Sequence, residues 1–152
     1  MKKLYLLLVF FCETAQSQNI LTVAGGGSLT PGDGSVATLA TLYNPQHITF
    51  DHNANLYITD ASNHRIRKVN AFTGIISTVV GNGTSGFTDD GGAASEAKVA
   101  SPCGLVADMS GKNLYFSDTY NNCVQKVSLA TGVISIVAGR FSNSSFPGAT
   151  NS

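Results

Sequence analysis

Short apolar runs, each bounded by Gly, Asn, Asp or Pro, recur along most of the chain. They have the length of β-strands and are rich in Val, Ile, Tyr and Thr, the residues that favour strands. The runs lie at 47–51, 55–59, 64–69, 75–80, 104–108, 113–117, 122–128 and 133–138. Some of them, such as Leu56-Tyr57-Ile58, are almost continuously apolar, which predicts strands that are buried on both faces.

The runs form two groups of four that repeat one another in order and spacing. Asn-Leu-Tyr-Ile-Thr-Asp at 55–60 corresponds to Asn-Leu-Tyr-Phe-Ser-Asp at 113–118, and a proline precedes the first strand of each group, at Pro45 and Pro102. Self-similarity of this kind indicates a repeat architecture. Four short antiparallel strands in each repeat, stacked radially, predict an all-β fold made of β-propeller blades. The chain then holds an incomplete propeller of about two blades.

A long connection joins the fourth strand of one copy to the first strand of the next. The two connections, 25–44 and 81–101, each carry an Asp-Gly turn followed by a segment of small residues. In the first connection Leu39 and Leu42 are three residues apart, which predicts one helical turn that packs on the blade through these two side chains.

A piece of an earlier copy precedes the first complete one. Residues 20–25 repeat the fourth-strand runs that end at Gly81 and Gly139, so we interpret them as a leading fourth strand. The resulting division is a leading strand and inter-blade loop at 18–43, a first blade at 44–100, a second at 101–139 and the start of another inter-blade segment at 140–152. Because a closed propeller needs about 4–8 blades, we expect a fragment of a longer product. Copies that assemble into a ring, or two blades that persist alone, are the alternatives.

The first 17 residues have the pattern of a secretory signal peptide. Lys2 and Lys3 supply the positive start, 4–12 is an unbroken apolar stretch, and Ala15 and Ser17 are the small residues of a cleavage site. The apolar stretch is shorter than the roughly 20 residues that a membrane-spanning helix needs. We therefore expect a secreted, extracellular protein (periplasmic if the source is bacterial) with no membrane span in the mature chain.

Charge is scarce. Asp, Glu, Lys and Arg make up 12% of the chain and balance to a net charge of zero, whereas a soluble domain usually has about 25%. This composition excludes a basic nucleic-acid binder and a coiled coil. The one basic cluster, formed by Arg65, Arg67 and Lys68, is interpreted as the solvated face of a strand.

The stretch 55–69 resembles NHL repeats, together with Gly-Asn-Gly-Thr at 81–84 and Asp-Gly-Gly at 90–92. The likeness is to the long-looped NHL repeats of secreted and cell-surface proteins, and it implies a β-propeller. The second copy departs from the pattern at Asn122, Cys123 and Gln125. The resemblance also implies candidate functions, because NHL propellers bind many partners, some intracellular members bind RNA, and the amidating lyases are zinc enzymes on a related scaffold.

Aspartate and asparagine recur at the turn between the second and third strands of each copy, as Asp60 with Asn63 and Asp118 with Asn121. Such side chains bond nearby backbone N–H groups and fix turns. We therefore predict structural roles for all four residues, and the same role for Asp51 and Asp108 at the ends of the first strands.

Cysteines and asparagines supply the remaining candidates for chemistry. Cys103 and Cys123 start the first and third strands of one blade and form a candidate disulfide in an exported protein. They lie two strand spacings apart, about 9.6 Å, so pairing requires Cys103 to leave the strand. Asn82 and Asn143 each begin an N-glycosylation triplet.

No catalytic constellation is evident in the sequence. The histidines His47, His52 and His64 lack the close spacing of a zinc site, and His47 is interpreted as a surface or pore-facing residue. We expect no cofactor, no metal and no nucleic-acid partner. The leading hypothesis is a binding module for a protein or glycan ligand. The alternative is part of a metal-dependent lyase or lactonase whose catalytic residues lie mostly outside this chain.

Overall fold

A computed structural model of the protein describes residues 20–88 and 90–139. The predictions for the signal peptide at 1–17, for 140–152 and for Asn143 lie outside these residues. The strands are β1 (Pro45–Phe50), β2 (Leu56–Asp60), β3 (Arg65–Val69), β4 (Ile76–Val80), β5 (Pro102–Ala107), β6 (Asn113–Asp118), β7 (Cys123–Ser128) and β8 (Ile134–Gly139).

Two four-stranded antiparallel sheets form, in the orders β1-β2-β3-β4 and β5-β6-β7-β8. We call them blade 1 and blade 2. The all-β class and the four-stranded blades are confirmed, and β2 is buried at every position, as its apolar sequence predicts. Each first strand is irregular at the same place, with a register shift between Pro45 and Ile48 and between Pro102 and Leu105. The starts of β1, β3, β5 and β7 and the ends of the other strands lie at one end of the blades, which we call the loop end.

Single 3-10 turns separate several strands. They are Ala37–Leu39, Ala61–Asn63, Ala94–Glu96 and Thr119–Asn121. The helical turn predicted in the first connection is present, but the prediction of which side chains pack is wrong for Leu39, which is exposed. Ala37 and Ala40 are the buried residues, and they pack against the apolar side chains of blade 1.

The main hydrophobic core lies between the two blades. It joins blade 1, the second connection and blade 2 through the following buried residues: Tyr57, Ile66, Val80, Ala94, Ala97, Val99, Leu105, Leu114, Phe116, Val127 and Ile134. Burying one of the larger side chains contributes about 2 kcal/mol. The blades therefore stabilise each other across this interface.

Residues 20–25, predicted as a leading fourth strand, have no strand pairing, and Ile20, Leu21 and Val23 are exposed. A strand needs a neighbour, and within residues 20–88 and 90–139 there is no third sheet for this segment to join. Only its end is held, where the Gly25 N–H donates to the Ala37 carbonyl at 2.9 Å.

Candidate interaction surface

A buried carboxylate fixes the loop end of blade 1. Asp60, at the end of β2, accepts the backbone N–H of Tyr43 at 2.7 Å and the side-chain amide of Asn63 at 2.9 Å. It thereby ties the chain that enters β1 to the turn that leaves β2. The Asn63 contact is local to the turn, whereas the Tyr43 contact comes from the segment before β1.

Arg67 lies beside the same carboxylate and is fully buried. Its Nη1 is 3.5 Å from Asp60 Oδ2, and its Nη2 is 2.5 Å from Asp33 Oδ1 and 2.8 Å from the Pro31 carbonyl. The prediction of a solvated strand face is therefore wrong at Arg67. A buried guanidinium needs a paired anion. Here Asp60 and Asp33, from different segments, both pair with Arg67.

Blade 2 repeats the cluster with an amide in place of the cation. Asp118 accepts the Ala100 N–H, the Asn121 side-chain amide and the Gln125 side-chain amide, each at 2.7 Å. Burial raises the pKa of Asp118, and the three hydrogen bonds oppose that rise. The Asp118 and Asn121 pair thus has the geometry of its counterpart in blade 1.

The opposite end of each blade is fixed by the aspartate that follows the first strand. Asp51 accepts the N–H and side-chain amide of Asn55, both at 2.9 Å, and the Tyr57 hydroxyl at 3.1 Å. Burial and the neighbouring Asp51 raise the pKa of Tyr57. In blade 2 a side-chain hydrogen bond from Asn113 is the main cause that lowers the pKa of Asp108 to about 2.

The histidines have different surroundings. His47 is exposed on β1, as predicted for it, and its N–H donates to the Thr59 hydroxyl. His64 Nδ1 accepts the Ser101 N–H at 3.1 Å and so joins the two blades. Across residues 20–88 and 90–139, no three His, Cys, Asp or Glu side chains are grouped to hold a metal ion.

Both cysteines line one cavity of about 380 Å³ on blade 2, together with Asp118, Asn122 and Val124. Each is a free thiol in this structure, with Cys123 buried and Cys103 half-buried. Burial and the nearby Asp118 carboxylate raise the pKa of Cys123.

The cavity belongs to an uncovered flank of blade 2. In blade 1 the equivalent flank is closed, because Ile66 and Val80 are fully buried against the second connection at 94–99. Their counterparts Val124 and Ala138 are exposed. We call this surface the open flank, defined by Val106, Val124 and Ala138. Sequence reasoning did not find it, since these strands have the apolar pattern of buried ones.

Two aromatic side chains are exposed at the loop end. Tyr43 is 64% exposed and Tyr120 is 73% exposed, while the charged Asp60, Arg67 and Asp118 beneath them are buried. One backbone hydrogen bond recurs in both blades: the Ser62 N–H donates to the Tyr43 carbonyl, and the Tyr120 N–H donates to the Ala100 carbonyl. Tyr43 is therefore the acceptor in blade 1, and Tyr120 is the donor in blade 2. Each blade thus presents one tyrosine at the same end. The sequence held a signal for this, since Tyr120 lies within a predicted turn and Tyr43 directly follows the predicted helical turn of the first connection.

No helix in the described part of the chain is long and apolar enough to cross a membrane.

One protein family and several known proteins match this chain in sequence. Residues 17–89 match the family described as teneurin NHL domain. Mouse Teneurin-4 is 36% identical over 122 residues, which cover 77% of this chain and 4% of that protein. Human NHL repeat-containing protein 2 is 32% identical over 100 residues, which cover 64% of this chain and 14% of that protein. Protein Suppressor of Quenching 1, chloroplastic, of Arabidopsis thaliana is 31% identical over 91 residues, which cover 60% of this chain and 8% of that protein.

The chain thus spans a small part of each of these relatives, from 4% to 14% of their length. Two solved structures from Bacteroides thetaiotaomicron share the fold. An auxiliary nutrient binding protein is 27% identical with a TM-score of 0.59, over 75% of this chain and 28% of that one. A protein of unknown function is 21% identical with a TM-score of 0.56, over 73% of this chain and 26% of that one.

Proposed function

Since the chain is an NHL-repeat protein, we propose that it is an exported propeller segment that binds protein or carbohydrate partners at its loop end. The observation that carries this proposal is the pair of exposed tyrosines, Tyr43 and Tyr120, on adjacent blades. Tyrosine is enriched in binding surfaces because it offers a large contact area, one polar atom and little conformational freedom to lose.

The charge of the surface narrows the class of partner. At the loop end Arg67 pairs with Asp60 and Asp33, and neutral donors bond Asp118, so few charges are left unpaired at the surface. An exposed Lys98 beside an exposed Glu96, with a half-buried Arg65, does not form the cluster of cations that nucleic acid or an acidic peptide needs. Neutral glycans and uncharged protein surfaces fit it better.

Screening the chain against a glycan array and a library of extracellular protein domains tests the proposal. We expect at least one ligand whose binding is lost in Tyr43→Ala/Tyr120→Ala. Phe72→Ala is the matched control, because Phe72 is 97% exposed but lies in the turn between β3 and β4, at the opposite end. A ligand that binds both variants equally, or no ligand at all, contradicts the assignment of the loop end.

The open flank supports a second partner, a further NHL repeat of the same polypeptide. In blade 1 the Gly81 N–H donates to the Ala94 carbonyl and the Asn82 N–H to the Ala97 carbonyl, both at 2.9 Å. Blade 2 presents Gly139 at the position of Gly81. A connection with small residues, like 94–97, would cover the exposed Val124 and Ala138.

Self-association through the same contact is disfavoured. The other such connection in this chain has Ala37 and Ala40 buried, and their carbonyls already accept the N–H groups of Gly25 and Gly27. A second copy would first have to displace 20–27. Repeats that follow in the same chain meet no such obstacle.

An extended chain tests this docking. A further copy of residues 82–139 is fused after Gly139, and amide hydrogen exchange is measured. We expect the Gly139 amide to become as protected as the Gly81 amide, and Val124→Asp in the extended chain to remove that protection. Unchanged exchange at Gly139 in the extended chain contradicts the docking.

A further inference from the structure

Asn82 begins the triplet Asn-Gly-Thr and lies exposed at the start of the second connection. Its backbone is held on both sides, because its N–H donates to the Ala97 carbonyl at 2.9 Å and its carbonyl accepts Arg65 Nη2 at 2.8 Å. The side chain is therefore presented from a fixed point at the junction of the two blades.

The side-chain amide uses only part of its bonding capacity. Oδ1 accepts the Thr84 N–H at 2.8 Å, and Nδ2 donates to the Glu96 carbonyl at 3.2 Å. An asparagine amide carries two N–H bonds. One bond of Nδ2 is accounted for by Glu96, which leaves the other for a substituent on an exposed side chain.

We propose that Asn82 is a site of N-linked glycosylation. The proposal rests on the export of the chain proposed above. In the reaction Nδ2 forms a bond to the anomeric carbon of an oligosaccharide carried on a lipid pyrophosphate. The bond from that carbon to the pyrophosphate oxygen breaks, the lipid pyrophosphate leaves, and Nδ2 loses one proton. The remaining N–H continues to donate to Glu96, so the folded connection accommodates the sugar.

The other copies of the repeat indicate that the fold does not require this asparagine. The residue that follows the glycine at the end of the fourth strand is Gly26 in the first copy and Arg140 in the last. Glycosylation would add a bulky, hydrated group at the loop end on the outer side of the blade junction. The first connection, 25–44, has no such triplet, and the triplet at Asn143 lies at another position of its connection.

The experiment expresses two forms of the full chain in a eukaryotic secretory cell. One form keeps residues 1–17, and the other has a cleavable secretory leader from another protein ahead of Gln18. Secreted protein is treated with peptide N-glycosidase in heavy-oxygen water, which converts a glycosylated asparagine to labelled aspartate. Tryptic peptides are then identified by mass spectrometry.

We expect label at position 82 in both forms. Thr84→Ala should abolish that label while leaving Asn82 in place, and Thr84→Ser should retain it. Ser145→Ala removes the triplet at Asn143 and should leave the label at 82 unchanged. Unlabelled Asn82 in protein secreted by the foreign leader overturns the glycosylation site. If only the form with its own leader stays inside the cell and unlabelled, the proposed export fails and the site stands.

Discussion

Arg67 and Gln125 occupy the same position in the two blades, and each donates to the carboxylate that ends the second strand. Arg67 Nη1 lies 3.5 Å from Asp60 Oδ2, and Gln125 Nε2 lies 2.7 Å from Asp118 Oδ2. Only the arginine reaches further, to Asp33 in the preceding connection. One repeat therefore neutralises its buried aspartate with a cation, whereas the other stabilises it with neutral donors alone.

Replacing the cation tests how much it contributes. We expect Arg67→Gln to lower the free energy of unfolding by about 3 kcal/mol, the lower end of the cost of breaking a buried ion pair. The lower end applies because blade 2 shows that glutamine can still donate to the carboxylate at this position. Urea unfolding of the full chain measures the change.

Arg65→Gln is the matched control for that variant. Arg65 is half-buried, and its donors go to the backbone carbonyls of Asn63 and Asn82. A loss below about 1 kcal/mol is expected there, as for an ordinary hydrogen bond. Equal losses in the two variants would show that the buried ion pair stabilises the fold no more than ordinary hydrogen bonds do.

The pH dependence of stability should follow the residue at position 125. Burial raises the folded pKa of Asp118 above its unfolded value. The stability linked to Asp118 is therefore fully present below the unfolded pKa, about 3.9, and is lost as pH rises through the folded pKa. Gln125→Arg lowers the folded pKa, since an adjacent cation favours the carboxylate. We expect this variant to gain stability relative to the parent as pH rises from about 3 to 7.

Gln125→Met should change the pH dependence of stability in the opposite direction, and it serves as the control. It removes a donor from the carboxylate and adds no charge, so it should lose stability relative to the parent over the same pH range. Unfolding free energies of the three proteins at a series of pH values decide the matter. Parallel pH profiles for the parent and Gln125→Arg would contradict the role given to Asp118.

The repeat made the fold predictable from the sequence. Each of the eight strands predicted in the two complete copies lies within about two residues of an observed one, because the copies agreed on where Gly, Asn, Asp and Pro interrupt the apolar runs. The same recurrence drew attention to Asp60 and Asp118, but their backbone donors, Tyr43 and Ala100, are distant along the chain and do not follow from a local turn.

What the sequence did not reveal depends on contacts between distant segments. Arg67 looked like a surface residue because its partner Asp33 is far away along the chain, and neither residue alone indicates burial. The exposure of Val124 was also hidden, since the same strand pattern is buried in blade 1, where Ile66 is covered. Burial here is set by the neighbouring blade, which a local pattern does not contain.

Gly81 should tolerate no side chain. Its φ is +89°, and an added Cβ would lie 2.2 Å from the His64 carbonyl oxygen. Gly74 is the matched control, because its φ is +68° but an added Cβ meets open space. We expect Gly74→Ala to cost about 1–2 kcal/mol from the left-handed backbone alone. Gly81→Ala should cost clearly more in the same urea titration, because β3 must move as well, and equal costs would contradict the close approach.

The two cysteines offer the last test, because pairing them requires a local rearrangement that the structure makes accessible. Cys103 follows Pro102 inside the register shift of β5, so fewer ladder bonds hold it than hold a residue in mid-strand. Cys123 faces the same cavity. We expect protein secreted under oxidising conditions to contain a Cys103–Cys123 disulfide, stabilising the blade by about 3 kcal/mol, and non-reducing peptide mapping to recover the linked peptides. In the reduced protein Cys103 should be alkylated several-fold faster than Cys123, whose thiol is buried and has a raised pKa. Two free thiols in the secreted protein would show that β5 keeps Cys103 too far away.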